Sequence, residues 1–139
     1  MTNRSEPSAA GGALTFLSVL AALPVSEGVE SIDWYSRFLD RSPDMEPVEG
    51  VAEWVLAQGA TLQLVTRPES AGTGFTRLEV ADLDQAIEAL ERRGFHPANV
   101  GQIDGIVRYA DYVDPSGNEL SVVQALFEVT RFPASAPAG

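Results

Sequence analysis

The chain of 139 residues contains no cysteine and a single histidine, His96. Without cysteine, the protein can form no disulfide, no thiolate zinc site and no cysteine nucleophile. A lone histidine cannot complete an imidazole metal site, and His96 follows the second predicted helix in what we read as a surface loop, so a Ser/His/Asp triad is not expected. No apolar stretch reaches the ~18 residues needed to span a bilayer, so we expect no membrane partner.

Basic residues are also scarce, because nine Lys and Arg stand against twenty Asp and Glu and give a net charge of -11. Such a surface repels nucleic acid and anionic membranes. Two interpretations stay open: the charge serves solubility alone, or it attracts a cationic ligand. The opening stretch MTNRSEPSAAGG lacks the apolar segment of a secretory signal, and we therefore expect a cytoplasmic protein.

What the chain does contain is the composition of a globular protein, with 45% hydrophobic and 21% charged residues. The length favours one domain that is large enough to bury a core. We place this domain at residues 14–128, because the composition of segments 1–13 and 129–139 predicts disordered tails.

The first half of the domain has the pattern of a strand, a helix and two further strands. The strands are predicted at Leu14–Leu23, Val51–Gln58 and Ala60–Thr66. The helix is predicted between the first two, with Ser26 as its N-cap and an apolar stripe running from Val29 to Leu39. A weak additional strand is expected in the polar segment before Val51.

The second half repeats this order after a linker at residues 67–74. Its strands are predicted at Phe75–Val80, Ala98–Ile103, Gly105–Val113 and Glu119–Gln124. Asp82 and Gln85 form a capping-box pattern at the start of its helix, and Gly94 is expected to end that helix.

The two halves also correspond in sequence. GVAEW at Gly50 matches GIVRY at Gly105 at an offset of 55, and SIDWY at Ser31 matches AIEAL at Ala86 at the same offset. The last strands match at 58, so the three extra residues are assigned to the DPSG turn. We interpret the pattern as a duplicated unit, with modules at 14–66 and 75–127. The alternative is chance agreement between common residues.

Three stretches carry a resemblance to a known family: IDWYSRFL at Ile32–Leu39, GFTRLEVADLDQAIEALERRGF at 74–95, and DPSGNELSVVQ at Asp114–Gln124. They resemble the vicinal oxygen chelate superfamily of glyoxalases, extradiol dioxygenases and bleomycin- and fosfomycin-resistance proteins. The resemblance implies an α+β fold in which paired βαβββ modules form curved mixed sheets with a cleft, and the helices lie on the outer face. It also implies a homodimer with ligand sites in the clefts.

The resemblance implies where a metal would be bound in the family's enzymes. They place His or carboxylate ligands at positions that match Ser18, Gln63, Phe75 and Ser121. Alternation along the strands supports a cleft-facing position for Gln63 and Ser121, since Leu62 and Leu120 then face the helices. A hydroxyl, an amide and a phenyl ring cannot hold a divalent ion, so we expect no metal, no cofactor and no catalytic residue from the family's set.

The remaining cleft positions predict a small-molecule site. The resemblance implies that the third residue before the DP turn, Asp111, joins Gln63, Phe75 and Ser121 on the cleft face. Alternation then adds Tyr109, and the matching positions of the first half add Trp54 and Leu56. Aromatic walls with few polar anchors suit a planar or amphipathic ligand, and Asp111 could pair with an amine or guanidinium. Two alternatives stay open. The aromatic residues could fill a core or a dimer seam, or the strands could have the opposite phase, which brings to this side Glu53, Val55, Arg108, Ala110 and Tyr112.

We therefore expect a metal-independent small-molecule-binding protein of the glyoxalase/bleomycin-resistance type, which sequesters an aromatic or cationic antibiotic and forms a homodimer. The alternative is a glyoxalase- or dioxygenase-like lyase or oxidoreductase, with a displaced metal site or with metal-free acid–base catalysis by Asp111 or Glu79. A third hypothesis is a dimerisation module whose cleft is filled by its own side chains.

Overall fold

The computed structural model describes residues 13–127, and within this range it contains seven strands, two α-helices and a short 3-10 helix at Pro68–Ser70. The elements are β1 (Val19–Val25), α1 (Gly28–Leu39), β2 (Val51–Ala57), β3 (Ala60–Thr66), β4 (Phe75–Glu79), α2 (Leu83–Arg92), β5 (Asn99–Ile103), β6 (Val107–Val113) and β7 (Glu119–Ala125). The tails expected at 1–13 and 129–139 lie outside the described residues, except for Ala13. No helix in the described range is long and apolar enough to cross a membrane.

The strands form a three-stranded sheet in the order β1-β3-β2 and a four-stranded sheet in the order β4-β7-β6-β5. β1 runs parallel to β3, whereas β2 runs antiparallel to β3 and β5 antiparallel to β6. The weak strand expected in the first half is reduced to a single bridge between Met45 and Glu53. The predicted α+β fold with βαβββ order is thus confirmed.

β1 begins five residues later than predicted, at Val19 instead of Leu14. The physical reason is the length of its partner strand. Val19 pairs with Ala60, which is the first residue of β3, so residues before Val19 have no strand beside them. Apolar composition alone made the segment from Leu14 look like a strand, although a strand also needs a neighbour for its backbone hydrogen bonds.

Helix α1 buries only part of the predicted stripe, which included Tyr35. Ser31, Tyr35 and Phe38 face the core, whereas Val29 is 81% exposed. The expected N-cap was also wrong by one residue, because Glu27 occupies that position and makes no side-chain cap. Ser26 instead donates its backbone N–H to the Ser116 hydroxyl at 2.9 Å.

Helix α2 follows its sequence signals. The Asp82 carboxylate accepts the backbone N–H of Gln85 at 3.1 Å, which is the predicted cap. Leu83 and Leu90 are buried, and Gly94 follows the helix with a φ of 91°, a conformation that glycine adopts without strain.

The chain divides into two compact units that are interleaved in sequence. The first comprises residues up to Thr76 together with Val113–Leu120, and the second comprises Arg77–Tyr112 together with residues from Ser121 onward. The core of the first unit contains Leu23, Val25, Tyr35, Trp54, Leu62 and Leu64. The core of the second contains Leu83, Leu90, Phe95, Ala110, Tyr112 and Val122.

The turn between β6 and β7 belongs to the first unit because of a buried polar network. The Asp114 carboxylate accepts hydrogen bonds from the Tyr35 hydroxyl (2.7 Å), the Asn118 side chain (2.9 Å) and the backbone amides of Ser116 and Asn118 (both 2.9 Å). The Asn118 amide also donates to Pro24 O and accepts from Gly74 N, each at 2.7 Å. Burial, and then the neighbouring Asp114 charge, raise the pKa of the Tyr35 phenol.

The segment after α1 protects the outer edge of β2. The Asp44 carboxylate accepts the Val55 backbone N–H at 2.6 Å, and the Arg41 guanidinium donates to the Val55 carbonyl and to Asp44. Two residues earlier, Glu53 forms its bridge with Met45. Side chains and one bridge therefore satisfy backbone groups that an edge strand would otherwise expose.

Candidate ligand-binding site

The register of the first sheet decides which side chains share a face. Trp54 lies opposite Leu62 in the antiparallel pair of β2 and β3, and directly opposed residues point to the same side. Trp54 is 0% exposed, and its ring centroid lies 6.1 Å from that of Tyr35. Its indole N–H donates to Arg41 O at 3.0 Å. The prediction that Trp54 shares a face with Gln63 is therefore wrong, because Trp54 belongs to the helix-packed core.

The opposite face of β2 and β3 carries Glu53 and Gln63. These residues are paired in the register, and the Gln63 amide donates to the Glu53 carboxylate at 2.9 Å. Glu53 is only 6% exposed, although it was included only in the alternative strand phase. Leu56 is 39% exposed and lies where the register shifts between Val55 and Ala57, so alternation does not fix its side.

In the second unit, the Asp111 carboxylate is held by two neutral donors. The Ser121 hydroxyl donates to Asp111 Oδ1 at 2.8 Å, and the Asn99 amide donates to Asp111 Oδ2 at 3.2 Å. Ser121 is 4% exposed, so the donor to Asp111 Oδ1 is a buried side chain. Among residues 13–127, the side-chain contacts of the Asp111 carboxylate are with these two neutral donors.

The nearest arginine on the same strand is used elsewhere. Arg108 lies three residues before Asp111 and therefore points to the other side of β6. Its guanidinium forms an ion pair with the Asp84 carboxylate of α2 at 2.8 Å. This hydrogen-bonded pairing lowers the pKa of Asp84 and raises the pKa of Arg108. Arg108 thus stabilises the contact between α2 and β6 and does not neutralise Asp111.

Tyr109 lies beside Asp111 on the same face, two residues earlier along β6. In the register of β5 and β6 it is opposite Gly101, while Asp111 is opposite Asn99. The outer half of the Tyr109 ring occupies the space where a side chain at position 101 would begin. The face therefore combines an aromatic ring with a carboxylate about 7 Å away along the strand.

The two sheets carry equivalent pairs at one offset, which the sequence comparison found for β3 and β7 but missed for β2 and β6. An offset of 58 separates Glu53 from Asp111 and Gln63 from Ser121. The buried Trp54 has its counterpart at the same offset in Tyr112, which is 2% exposed, and not in Tyr109. The predicted offset of 55 for β2 and β6 is therefore wrong, because the match of GVAEW to GIVRY ignored which residues face the core.

The residues at the four expected metal positions do not fit a divalent ion. Ser18 lies just before β1, and Ala22 is the β1 residue beside Gln63. Gln63 and Ser121 offer neutral oxygens, and Phe75, which is 53% exposed, offers no donor atom. Residues 13–127 contain no group of three or more His, Asp or Glu side chains able to hold a metal.

Of the predicted ligand-binding residues, Trp54, Leu56, Gln63 and Phe75 belong to the first unit, and Tyr109, Asp111 and Ser121 to the second. The structure brings Asp111 into contact with Ser121 and puts Tyr109 on the same face. Sequence reasoning missed Asn99 and Gly101 entirely. A count of residues across the β5–β6 hairpin would have pointed to both, since hairpin partners lie at fixed distances from the turn.

Comparisons with known proteins place this geometry in context. A scan against protein-family models found no match, and neither did a search of curated proteins. Among solved structures, the chain is similar to a glyoxalase/bleomycin resistance protein from Catenulispora acidiphila DSM 44928, with 32% identity and a TM-score of 0.74. That match covers 78% of this chain and 98% of the other.

Two further structures share the fold at lower identity. One is TnmS3, an antibiotic binding protein from Streptomyces sp. CB03234, with 22% identity, a TM-score of 0.66 and coverage of 78% of this chain and 94% of that one. The other is a lactoylglutathione lyase from Agrobacterium tumefaciens, with 14% identity, a TM-score of 0.66 and coverage of 76% and 91%. At these identities the likeness extends to the fold alone, which carries both binding proteins and enzymes.

Proposed function

Because the chain belongs to the glyoxalase/bleomycin resistance protein family, within the vicinal oxygen chelate superfamily, we propose that it is a metal-independent binding protein for a small aromatic cation. The observation that carries this proposal is the Asp111 carboxylate, whose two oxygens accept only neutral donors and which lies beside the Tyr109 ring. A carboxylate without a cationic partner favours an ammonium or amidinium, and an aromatic face adds attraction to such a charge.

Binding alone would be sufficient for sequestration of a cationic antibiotic. The residues at Gln63, Phe75 and Ser121 do not supply the charged donors that metal-dependent chemistry of this family requires, and the proposal assigns no catalytic residue. Gln63 and Phe75 remain candidate ligand contacts of the first unit, together with the half-exposed Leu56. The net charge of -11 would raise the local concentration of a cationic ligand.

A fluorescence titration with 9-aminoacridinium, a planar aromatic cation, tests the proposal, and neutral acridine serves as the uncharged comparison. We expect the cation to bind more tightly, and Asp111→Asn to weaken its binding by about tenfold to a hundredfold, because a charged hydrogen bond is lost. Asp104→Asn removes the same charge from the β5–β6 turn and is the matched control. Equal affinities of the wild type and Asp111→Asn would contradict the proposal.

Elemental analysis of protein purified without chelator tests metal independence. Stoichiometric zinc, nickel, manganese or iron would contradict this part of the proposal and favour the alternative of a glyoxalase- or dioxygenase-like enzyme. Isothermal titration with cationic glycopeptide and planar aromatic antibiotics would then identify the ligand class of the metal-free protein.

We also propose that the protein is a homodimer in the cytoplasm. Large apolar side chains are exposed in the single chain, among them Phe16 at 57% and Val19 at 71%. Exposed apolar side chains form the kind of surface found at protein interfaces where they adjoin one another. Sedimentation equilibrium is the direct test, and a monomer at micromolar concentration would contradict the dimer.

A further inference from the structure

Gly101 lies in the middle of β5, a position where glycine weakens a strand unless something requires it. Glycine is often chosen for a left-handed backbone, and six other glycines among residues 13–127 have a positive φ. Gly101 is not one of them. Its backbone is therefore compatible with alanine, so the backbone conformation does not explain the glycine, and a neighbouring side chain has to.

What lies above Gly101 is the Tyr109 ring. A Cβ at position 101 would overlap the phenol oxygen, Cζ and Cε1 of Tyr109, all from the outer half of the ring. Side chains in a sheet ordinarily stand away from the strand. The ring instead leans across β5, and only a residue without a side chain leaves room for that orientation.

The ring over Gly101 lies one cross-strand pair away from Asp111. Asn99 and Asp111 form one cross-strand pair, and Gly101 and Tyr109 form the next pair on the same face. A ligand whose charge lies at Asp111 would have its next ring-sized group about 7 Å along the strand, over Tyr109. An aliphatic cation would use the carboxylate but not the ring.

We propose that Gly101 determines the specificity of this site, a proposal that rests on the proposed function. Gly101 allows the Tyr109 ring to lie against β5, and the site therefore prefers a planar aromatic cation to an aliphatic one. Gly101 acts through Tyr109 and is a positioning residue. In its place, any side chain would push the ring upward into the space that the aromatic part of the ligand needs.

The test is Gly101→Ala, titrated with 9-aminoacridinium and with butylammonium. We expect the affinity for the aromatic cation to fall about tenfold, because its stacking and cation–π contacts with Tyr109 are lost, while butylammonium binds as before. Val100→Ala, on the same strand but the opposite face, is the matched control and should leave both affinities unchanged. The melting temperature of Gly101→Ala should equal or exceed that of the wild type, since alanine suits a strand better than glycine.

A double-mutant cycle with Tyr109→Leu separates positioning from a general effect on the strand. If Gly101 acts through the ring, Gly101→Ala should cost nothing further in a chain that already carries Tyr109→Leu. Full additivity of the two substitutions would overturn the proposal.

A ligand-free measurement is provided by NMR. The Hα resonances of Gly101 should be shifted by the ring current of Tyr109, and the shift should disappear in Tyr109→Leu. Absence of the shift in the wild type would overturn the inference.

The two proposals fail in different ways. The proposed function is contradicted if Asp111→Asn binds 9-aminoacridinium as tightly as the wild type does. The inference alone fails if Asp111→Asn weakens binding while Gly101→Ala leaves the preference for the aromatic cation intact.

Discussion

The Tyr35 hydroxyl lies 2.7 Å from the Asp114 carboxylate, although 79 residues separate the two in sequence. Both side chains are buried, with Tyr35 at 0% and Asp114 at 4% exposure. A single hydrogen bond thus joins helix α1 to the turn between β6 and β7, and its acceptor is charged. Bonds of this kind contribute more to stability than neutral ones because the carboxylate cannot find water in their absence.

Tyr35→Phe removes this donor without changing the shape of the ring. We expect the free energy of unfolding to fall by roughly 1.5–3 kcal/mol, as measured by urea denaturation near neutral pH. Tyr109→Phe, in which a half-buried ring loses its hydroxyl, is the control and should change stability by less than about 0.5 kcal/mol. A Tyr35→Phe variant as stable as the control would mean that Asp114 is satisfied by its remaining donors.

The raised pKa of Tyr35 also makes the stability of the protein depend on pH. Burial, and then Asp114, raise the pKa of Tyr35 above its ordinary value of 10.0. Above that value the unfolded chain loses the phenolic proton while the folded chain keeps it, so stability should fall as pH rises, by up to about 1.4 kcal/mol per pH unit. Urea denaturation between about pH 9 and 11 measures this slope. The slope should be smaller in Tyr35→Phe, and parallel profiles would contradict the assignment.

Trp54 should behave as a core residue and not as a ligand contact. Trp54→Ala is expected to lower the free energy of unfolding by about 3–5 kcal/mol, because it leaves a large cavity. Leu56→Ala, two residues along the same strand but 39% exposed, should cost about 1 kcal/mol or less. Acrylamide should quench Trp54 emission poorly, measured in a chain that carries Trp34→Phe. Strong quenching would place Trp54 at the surface and restore the original expectation.

The interpretation of β2 shows why sequence alone could not settle the site. VAEWVLA has apolar residues in both strand phases, so alternation permits either face for Trp54. Pairing with β3 resolves the ambiguity, because it puts Trp54 beside the buried Leu62. Helix α2, by contrast, was predicted from the Asp82 cap and its apolar stripe, since both signals are local.

Asp40 ends helix α1 in a left-handed conformation, with a φ of 60° and a ψ of 37°. Glycine adopts this conformation freely, whereas a residue with a Cβ is strained there. Asp40→Gly should therefore raise the free energy of unfolding by up to about 1 kcal/mol, and Asp40→Ala should lower it. Chemical denaturation of both variants measures the difference, and an alanine variant more stable than the glycine variant would contradict the backbone argument.

Asp44 should protect the outer edge of β2 from solvent. In Asp44→Ala the Val55 backbone N–H loses its acceptor, so its hydrogen exchange should become about tenfold faster or more. Glu46→Ala, on the same segment, is the matched control. Exchange is followed residue by residue by NMR, and unchanged protection of Val55 would show that another group covers this edge.

The candidate site was only partly accessible from sequence for a related reason. Asp111 and Ser121 were placed on one face before the structure was known, Asp111 by its position before the DPSGN turn in the resemblance and Ser121 by alternation with Leu120, and the two side chains do form a hydrogen bond. Asn99 and Gly101 were missed because their relation to Asp111 and Tyr109 depends on the register of β5 against β6. Register arises from pairing and cannot be read from a single strand.

The interleaving of the two units has a consequence for how the chain acquires its structure during synthesis. The first unit is incomplete when synthesis has reached Thr76, because Asp114, which accepts the hydrogen bond of the Tyr35 hydroxyl, has not yet been synthesised. The Tyr35 hydroxyl can therefore form this buried hydrogen bond only after nearly the whole described chain has been translated.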